Sequence, residues 1–244
     1  MQEKYPQKPG LDFILKQAFY YWNRTLLFQL MFSIIYFAIF LTVMFYFSDK
    51  YGIMDQFFGA AQDYMKAGPA GIENYKNNIA AIMGSEGFQN FYLAIVAVQI
   101  FLYPLNLGFF QIFRKLDLKE TIVIGDLFAG YNGLNFFRYV SYFIFWFFLY
   151  TLIAQTIILP LVWVMLTLFV APLMFFQNKT IFEGIALNWK VLKIYFIEIF
   201  VCVIVAVLFK YVGFALFLIG GLLTLPFWNA MIYSLYKTIF KEEN

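Results

Sequence analysis

Residues 139–178 read YVSYFIFWFFLYTLIAQTIILPLVWVMLTLFVAPLMFFQN, 40 positions without one charged side chain. As a single helix this stretch would run about 60 Å at 1.5 Å per residue. That is twice the roughly 30 Å of a bilayer's hydrocarbon core. It must therefore fold back on itself. The reversal is expected near Gln155 and Thr156, with Pro160 in the first turn of the returning helix, where a missing N–H is harmless. Extending the first arm back to Leu134 gives two spans, 134–154 and 157–177, and lets Arg138 reach the interface with its long side chain.

The same ruler works outward from this stretch. Thr25–Ser48, between Arg24 and Asp49, suits one span (25–48), and Gly87–Phe113, between Glu86 and Arg114, suits another (89–113). Val191–Tyr236 is interrupted by Glu198 and Lys210 but is long enough for two spans, 191–211 and 216–236. Their reversal is expected at Val212–Ala215, with Gly213 ending a helix; Gly220 and Gly221 form a rival hinge. The expected fold is all-α: one transmembrane domain over 1–244, six transmembrane helices in three hairpins, and amphipathic interfacial helices between them.

Composition agrees. Hydrophobic residues make up 63% of the 244 and charged residues 13%, against roughly 45–50% and 25% in soluble domains. Aromatics reach 23%, and the mean hydropathy is +0.75. One cysteine excludes an intrachain disulfide framework and multi-cysteine metal sites. The absence of histidine removes the usual general base and the commonest metal ligand. A net charge of +3 does not suggest nucleic acid.

Basic residues set the expected orientation, because Lys and Arg are retained on the cytoplasmic side. With six spans, one side holds Lys4, Lys8, Lys16, Arg24, Arg114, Lys115, Lys119, Arg138, Lys179, Lys190, Lys193, Lys237 and Lys241; the other holds Lys50, Lys66, Lys76 and Lys210. Both termini are therefore expected on the cytoplasmic side of the membrane. The first 24 residues lack an apolar core, so Thr25–Ser48 is expected to stay as an uncleaved anchor. Asn-x-Thr triplets at Asn23 and Asn178 fall on the cytoplasmic side and are chance matches.

The extracytoplasmic loop 49–88 splits at Gly68-Pro69-Ala70-Gly71, a strong turn signal. Apolar residues recur at helical spacing on both sides of it: Phe57, Phe58, Ala61, Tyr64 and Met65, then Ile72, Tyr75, Ile79 and Met83. Two short amphipathic helices on the outer face are expected, either as a cap on the bundle or as a partner-docking or gating element. Three interfacial helices are expected to lead into the hairpins: 11–23, 120–137 and 180–190. The first carries Leu11, Ile14, Leu15, Ala18, Phe19 and Trp22, and the third Ile181, Phe182, Ile185, Ala186 and Trp189.

The returning helices carry Pro104, Pro160, Pro172 and Pro226, each a candidate kink. Pro104 and Pro226 each precede a lysine (Lys115, Lys237) by 11 residues, with a small residue (Gly108, Ala230) four after the proline. A proline in a span needs another group to take up the freed carbonyl, and Asn106 and Asn229 are placed to do so. The prolines fit either kinked packing or a hinged transport path.

Glu198 is the one acid expected well inside a span, and an intramembrane acid is a functional candidate by default. It stands either as a proton- or cation-linked site with Gln99, Asn106, Gln155 or Asn229, or as an interfacial acid reaching Lys190, Lys193 or Arg138. Nothing else suggests catalysis. No Asp lies in a span, no serine has a base in prospect, no phosphate-binding glycine loop exists, and Cys202 reads as a packing residue. No cofactor or metal is expected.

The amphipathic lead-in 11–23, Pro104-x-x-x-Gly108, Gly125-Asp126-Leu127-Phe128-x-Gly130-Tyr131, and Ala186-Leu187-x-x-Lys190 before the fifth span resemble a loose group of six-pass bacterial integral membrane families. These are akin to the membrane domain attached to some glycerophosphodiester phosphodiesterases. The resemblance implies a six-helix bundle and no catalytic residues, and no phosphodiesterase domain is expected within these 244 residues. The expected role is structural or accessory, with membrane lipids, other membrane proteins or a second copy as partners. A small transporter or channel is the rival.

Overall fold

The computed structural model describes residues 10–156, 158–215 and 217–240. Lys4, Lys8 and Lys241, and the expected helix starts at 157 and 216, lie outside them. Among the described residues the chain is helical with no strands. The helices are α1 (Leu11–Arg24), α2 (Leu26–Lys50), α3 (Ile53–Ala67), α4 (Ile72–Gly84), α5 (Glu86–Asp117) and α6 (Asn135–Ile153). They continue with α7 (Ile158–Thr167), α8 (Val170–Gln177), α9 (Ile181–Ile194), α10 (Phe196–Ala215), α11 (Phe217–Thr224) and α12 (Phe227–Phe240). Among the described residues, five stretches are long and apolar enough to cross a membrane: Leu26–Lys50, Glu86–Asp117, Leu134–Ile153, Ile158–Gln177 and Phe196–Ala215. These mark a membrane protein.

The chain divides into two compact units, one of Ile35–Leu102 and one of the residues on either side of it. Within Ile35–Leu102, α3 and α4 are joined through the short 3-10 segment Gly68–Gly71 at the expected turn, where Gly68 takes φ +63°. Tyr64 packs on Tyr75 across that turn, ring centroids 5.3 Å apart. In the flanking unit α1 packs along α12, α10 packs against α11 and α12, and α9 packs against α7 and α8. α1 is helical because Ile14, Ala18 and Tyr21 recur three and four apart on one face, and all three are buried.

Several expectations are corrected. The segment before α6 is a 3-10 helix, Ile124–Tyr131, followed by a turn, rather than an amphipathic α-helix over 120–137. Glycines on both elements permit its close backbone approach to α5: a Cβ on Gly108 of α5 would fall on the Leu127 carbonyl, and one on Gly130 on the Pro104 carbonyl. Next, the span expected at 191–211 begins at Phe196, because α9 runs on to Ile194 and the chain breaks at Tyr195. Finally, the span expected at 216–236 is two helices, α11 and α12, divided at Leu225–Pro226. Pro226 has no N–H to give the Leu222 carbonyl, so the helical ladder stops there. Gly213 does not end a helix: it lies inside α10, where a Cβ would meet the Thr224 side chain. Gly220 and Gly221 lie inside α11 and form no hinge.

Candidate functional site

Polar side chains from neighbouring helices close two helix breaks. Pro172 cannot donate to the Leu168 carbonyl, and α7 gives way to α8 across Leu168–Phe169. In an unbroken helix the Phe169 N–H would bond the Met165 carbonyl. Here the Asn188 amide from α9 stands between them: its Nδ2 donates to the Met165 carbonyl at 2.6 Å, and the Phe169 N–H donates to its Oδ1 at 3.4 Å. Asn188 is wholly buried. α9 reaches this position through Gly184, whose missing Cβ would lie 3.3 Å from the Val170 backbone. From α6, the Tyr142 hydroxyl donates to the Thr167 carbonyl at 3.2 Å and the Trp146 indole to the Thr167 hydroxyl at 2.8 Å. That hydroxyl in turn donates to the Trp163 carbonyl.

The second break, at Leu225–Pro226, is closed the same way from different helices. Ser33 Oγ donates to the Leu222 carbonyl at 2.5 Å, and Trp22 Nε1 donates to the Leu223 carbonyl at 2.8 Å. The Leu222 carbonyl is the one Pro226 leaves open. Trp22 is held in an aromatic cluster with Phe19, Phe209 and Phe227; the Phe209 and Phe227 centroids are 4.4 Å apart.

Pro104 behaves differently, because α5 runs through it without a break. Asn106 Nδ2 donates to the Tyr103 carbonyl at 3.2 Å, and Asn229 Nδ2 donates to Asn106 Oδ1 at 3.2 Å. The two asparagines therefore bond each other, and neither reaches the carbonyl four residues before its proline. Pro160 sits in the first turn of α7 as expected.

Of the five expected polar residues, only Asn106 and Asn229 come together. Gln155 is exposed in the turn between α6 and α7, and Gln99 belongs to the Ile35–Leu102 unit. Glu198 is the third residue of α10 rather than a group deep in a span, because the helix starts at Phe196. Two of its three expected cations, Arg138 and Lys193, are engaged elsewhere. Arg138 donates to the Lys179 carbonyl at 3.0 Å and to Asn178 at the end of α8, and Lys193 lies over the Trp189 ring. A half-exposed carboxylate in a first helical turn contributes little to folding. Glu198→Gln should therefore leave the melting temperature in detergent unchanged. A fall of more than about 5 °C in Glu198→Gln would instead mean that the carboxylate carries a folding contact.

A charge cluster ties α1, α5 and α12 together on the expected cytoplasmic side. Asp117, the last residue of α5, accepts hydrogen bonds from the Tyr21 hydroxyl at 2.8 Å and the Tyr233 hydroxyl at 2.8 Å, and pairs with Lys237 at 2.7 Å. Burial, reinforced by the Asp117 charge, pushes the Tyr21 phenol well above its ordinary range and keeps it a donor. Lys115 pairs at 2.8 Å with Asp126, eleven residues further on, and the same carboxylate accepts the Val123 N–H. The proline-to-lysine spacing thus marks two lysines that pair with different acids. Spacing alone does not identify those acids.

Sequence reasoning missed Asn188, Thr167, Ser33 and Gln29. Thr25, between α1 and α2, and Gln29 and Ser33 of α2 are spaced by four and all buried, a periodicity that marks one polar stripe leading into α2. Gln29 donates to the Thr25 hydroxyl at 3.0 Å. Among the described residues no group of three or more potential metal-ligating side chains occurs. No family model, curated protein or solved structure matches the chain.

Proposed function

We propose that this is a non-enzymatic integral membrane protein of a bacterial inner membrane, with a structural or accessory role in a membrane complex or in local lipid organisation. It crosses the membrane six times in three hairpins, with both termini cytoplasmic. α11 and α12 form the sixth crossing: residues 217–240 reach about 36 Å at helical rise, enough for the hydrocarbon core. The similarity of its motifs to the six-pass bacterial families supports the same arrangement.

One observation carries the accessory role. At both breaks, carbonyls loosened from the helical ladder receive donors from the chain's own side chains. Among the described residues, Gln29 Oε1 is the single buried side-chain polar atom without a partner. A solute path needs several open polar groups converging on one place, and these groups are already closed on one another. The breaks themselves favour the second reading, a small transporter or channel, since discontinuous helices line many transport sites.

The two readings separate on purification in mild detergent, followed by mass spectrometry of what stays bound. A protein or phospholipid in stoichiometric amount is the expected result. A retained small solute, with flux of that solute in proteoliposomes, would overturn the accessory role. Orientation is checked by cysteine labelling in a Cys202→Ala background. Glu73→Cys should react in intact cells with a reagent that does not cross the inner membrane, and Lys190→Cys only after lysis.

A further inference from the structure

The α3–α4 pair carries apolar surface that its own unit does not use. On α3, Ile53 and Ala60 are buried, Asp55 and Gln62 lie on the opposite, exposed face, and Asp63 is exposed at that face's edge, away from the strip described next. Between these two faces runs a third strip, Met54, Phe58 and Met65, exposed by 44%, 62% and 71%. The residues are four and seven apart, so they line up along one side of the helix. α4 repeats the pattern: Ile82 is buried, while Ile72 and Met83, eleven apart, are exposed on one line. Each helix thus has a buried face, a solvated polar face and an uncovered apolar strip.

Chain connections limit what can cover those strips. Only Tyr51 and Gly52 separate α2 from α3, and only Ser85 separates α4 from α5. Both flanking helices are long and apolar enough to cross a membrane. Within the same unit α2 exposes Phe45 and Tyr46, and α5 exposes Tyr92 and Leu93. With connectors this short, α3 and α4 are held at the level where α2 and α5 leave the hydrocarbon. An amphipathic helix at that level buries its apolar side at the headgroup–acyl boundary.

We infer that α3 and α4 form an in-plane membrane element whose occupant is phospholipid, taken along Met54, Phe58 and Met65 on one helix and Ile72 and Met83 on the other. The strips hold no charge, and acids outnumber lysines in loop 49–88. The element therefore takes zwitterionic lipid and gains nothing from anionic headgroups. This inference rests on the membrane placement of α2 and α5.

The test uses the full chain in phosphatidylcholine vesicles, with Cys202→Ala and one labelled cysteine at a time carrying an environment-sensitive fluorophore. Phe58→Cys and Met83→Cys report the strips, Asp63→Cys and Asn77→Cys the polar faces, and Phe45→Cys the α2 surface. Only variants that elute from size exclusion as the parent does are compared. Lipid spin-labelled high on the acyl chain should quench Phe58→Cys and Met83→Cys about threefold more than Asp63→Cys and Asn77→Cys. Aqueous iodide should show the reverse order, and replacing part of the lipid by phosphatidylglycerol should change neither. Iodide access at Phe58→Cys equal to that at Asp63→Cys would overturn the inference. So would shielding of both strips from lipid and iodide alike, which would mean a protein cover. If Phe45→Cys also escapes lipid quenching, the membrane placement of α2 fails, and the inference falls with it.

Discussion

Asn188→Leu should lower the melting temperature in detergent by about 5–20 °C, or prevent accumulation in the membrane altogether. Leucine has nearly the shape of asparagine but neither donates nor accepts. The Met165 carbonyl and the Phe169 N–H would lose the amide that now bridges them. Each buried, unpaired group costs about 1–3 kcal/mol, and about 1 kcal/mol moves the melting temperature of a chain this size by roughly 2–4 °C. Hydrogen bonds within membranes often measure nearer 0.6 kcal/mol, because the unfolded reference state finds other partners. At Asn188 that relief is small. The side chain is wholly buried, and the break at Leu168–Phe169 is imposed by Pro172 whatever residue stands at 188. Pro172→Ala returns an N–H to the ladder, so it should recover part of the loss in the double variant and little on its own. Melting of Asn188→Leu within about 2 °C of wild type would show that the amide is incidental.

The lengths of charge-free sequence placed α2, α5, α6 and the α7–α8 stretch to within a few residues. The reason is physical: a bilayer fixes how many apolar residues a helix needs, and a charge marks where it ends. The turn at Gly68–Gly71 was equally legible, because glycine and proline act locally. Helix breaks were not legible. Pro104, Pro172 and Pro226 look alike in sequence, yet α5 continues through the first while the helices stop near the other two. What separates them is whether a remote side chain can take up the loosened backbone. Asn188 lies 16 residues after Pro172, and Ser33 lies 193 before Pro226. Neither distance carries a periodic signal. Glu198 was misplaced for a related reason: apolar residues continue from Val191 to Ile197 apart from Lys193, so hydropathy cannot register the backbone break at Tyr195.

Gly108→Ala and Gly130→Ala should each destabilise the protein, against the ordinary preference of helices for alanine. Gly108 lies inside α5, where alanine would otherwise gain about 1 kcal/mol. Its Cβ, however, would meet the Leu127 backbone, with Cα and carbonyl carbon both 2.5 Å away. A Cβ on Gly130 would lie 2.9 Å from the Pro104 carbonyl carbon. Both obstacles are main chain, so relief requires moving the whole Ile124–Tyr131 segment off α5. That movement would also stretch the Lys115–Asp126 pair, now 2.8 Å. Overpacking of this kind costs about 1–3 kcal/mol, a fall of roughly 3–10 °C in melting temperature. Gly125→Ala supplies the contrast: nothing lies within 4 Å of its Cβ, so it should melt within about 2 °C of wild type. The double variant should lose less than the two single losses combined, because a segment already lifted by one methyl meets no second clash. Strict additivity would mean the two glycines act at separate contacts. A Gly108→Ala variant as stable as Gly125→Ala would mean that the two motifs do not lock together.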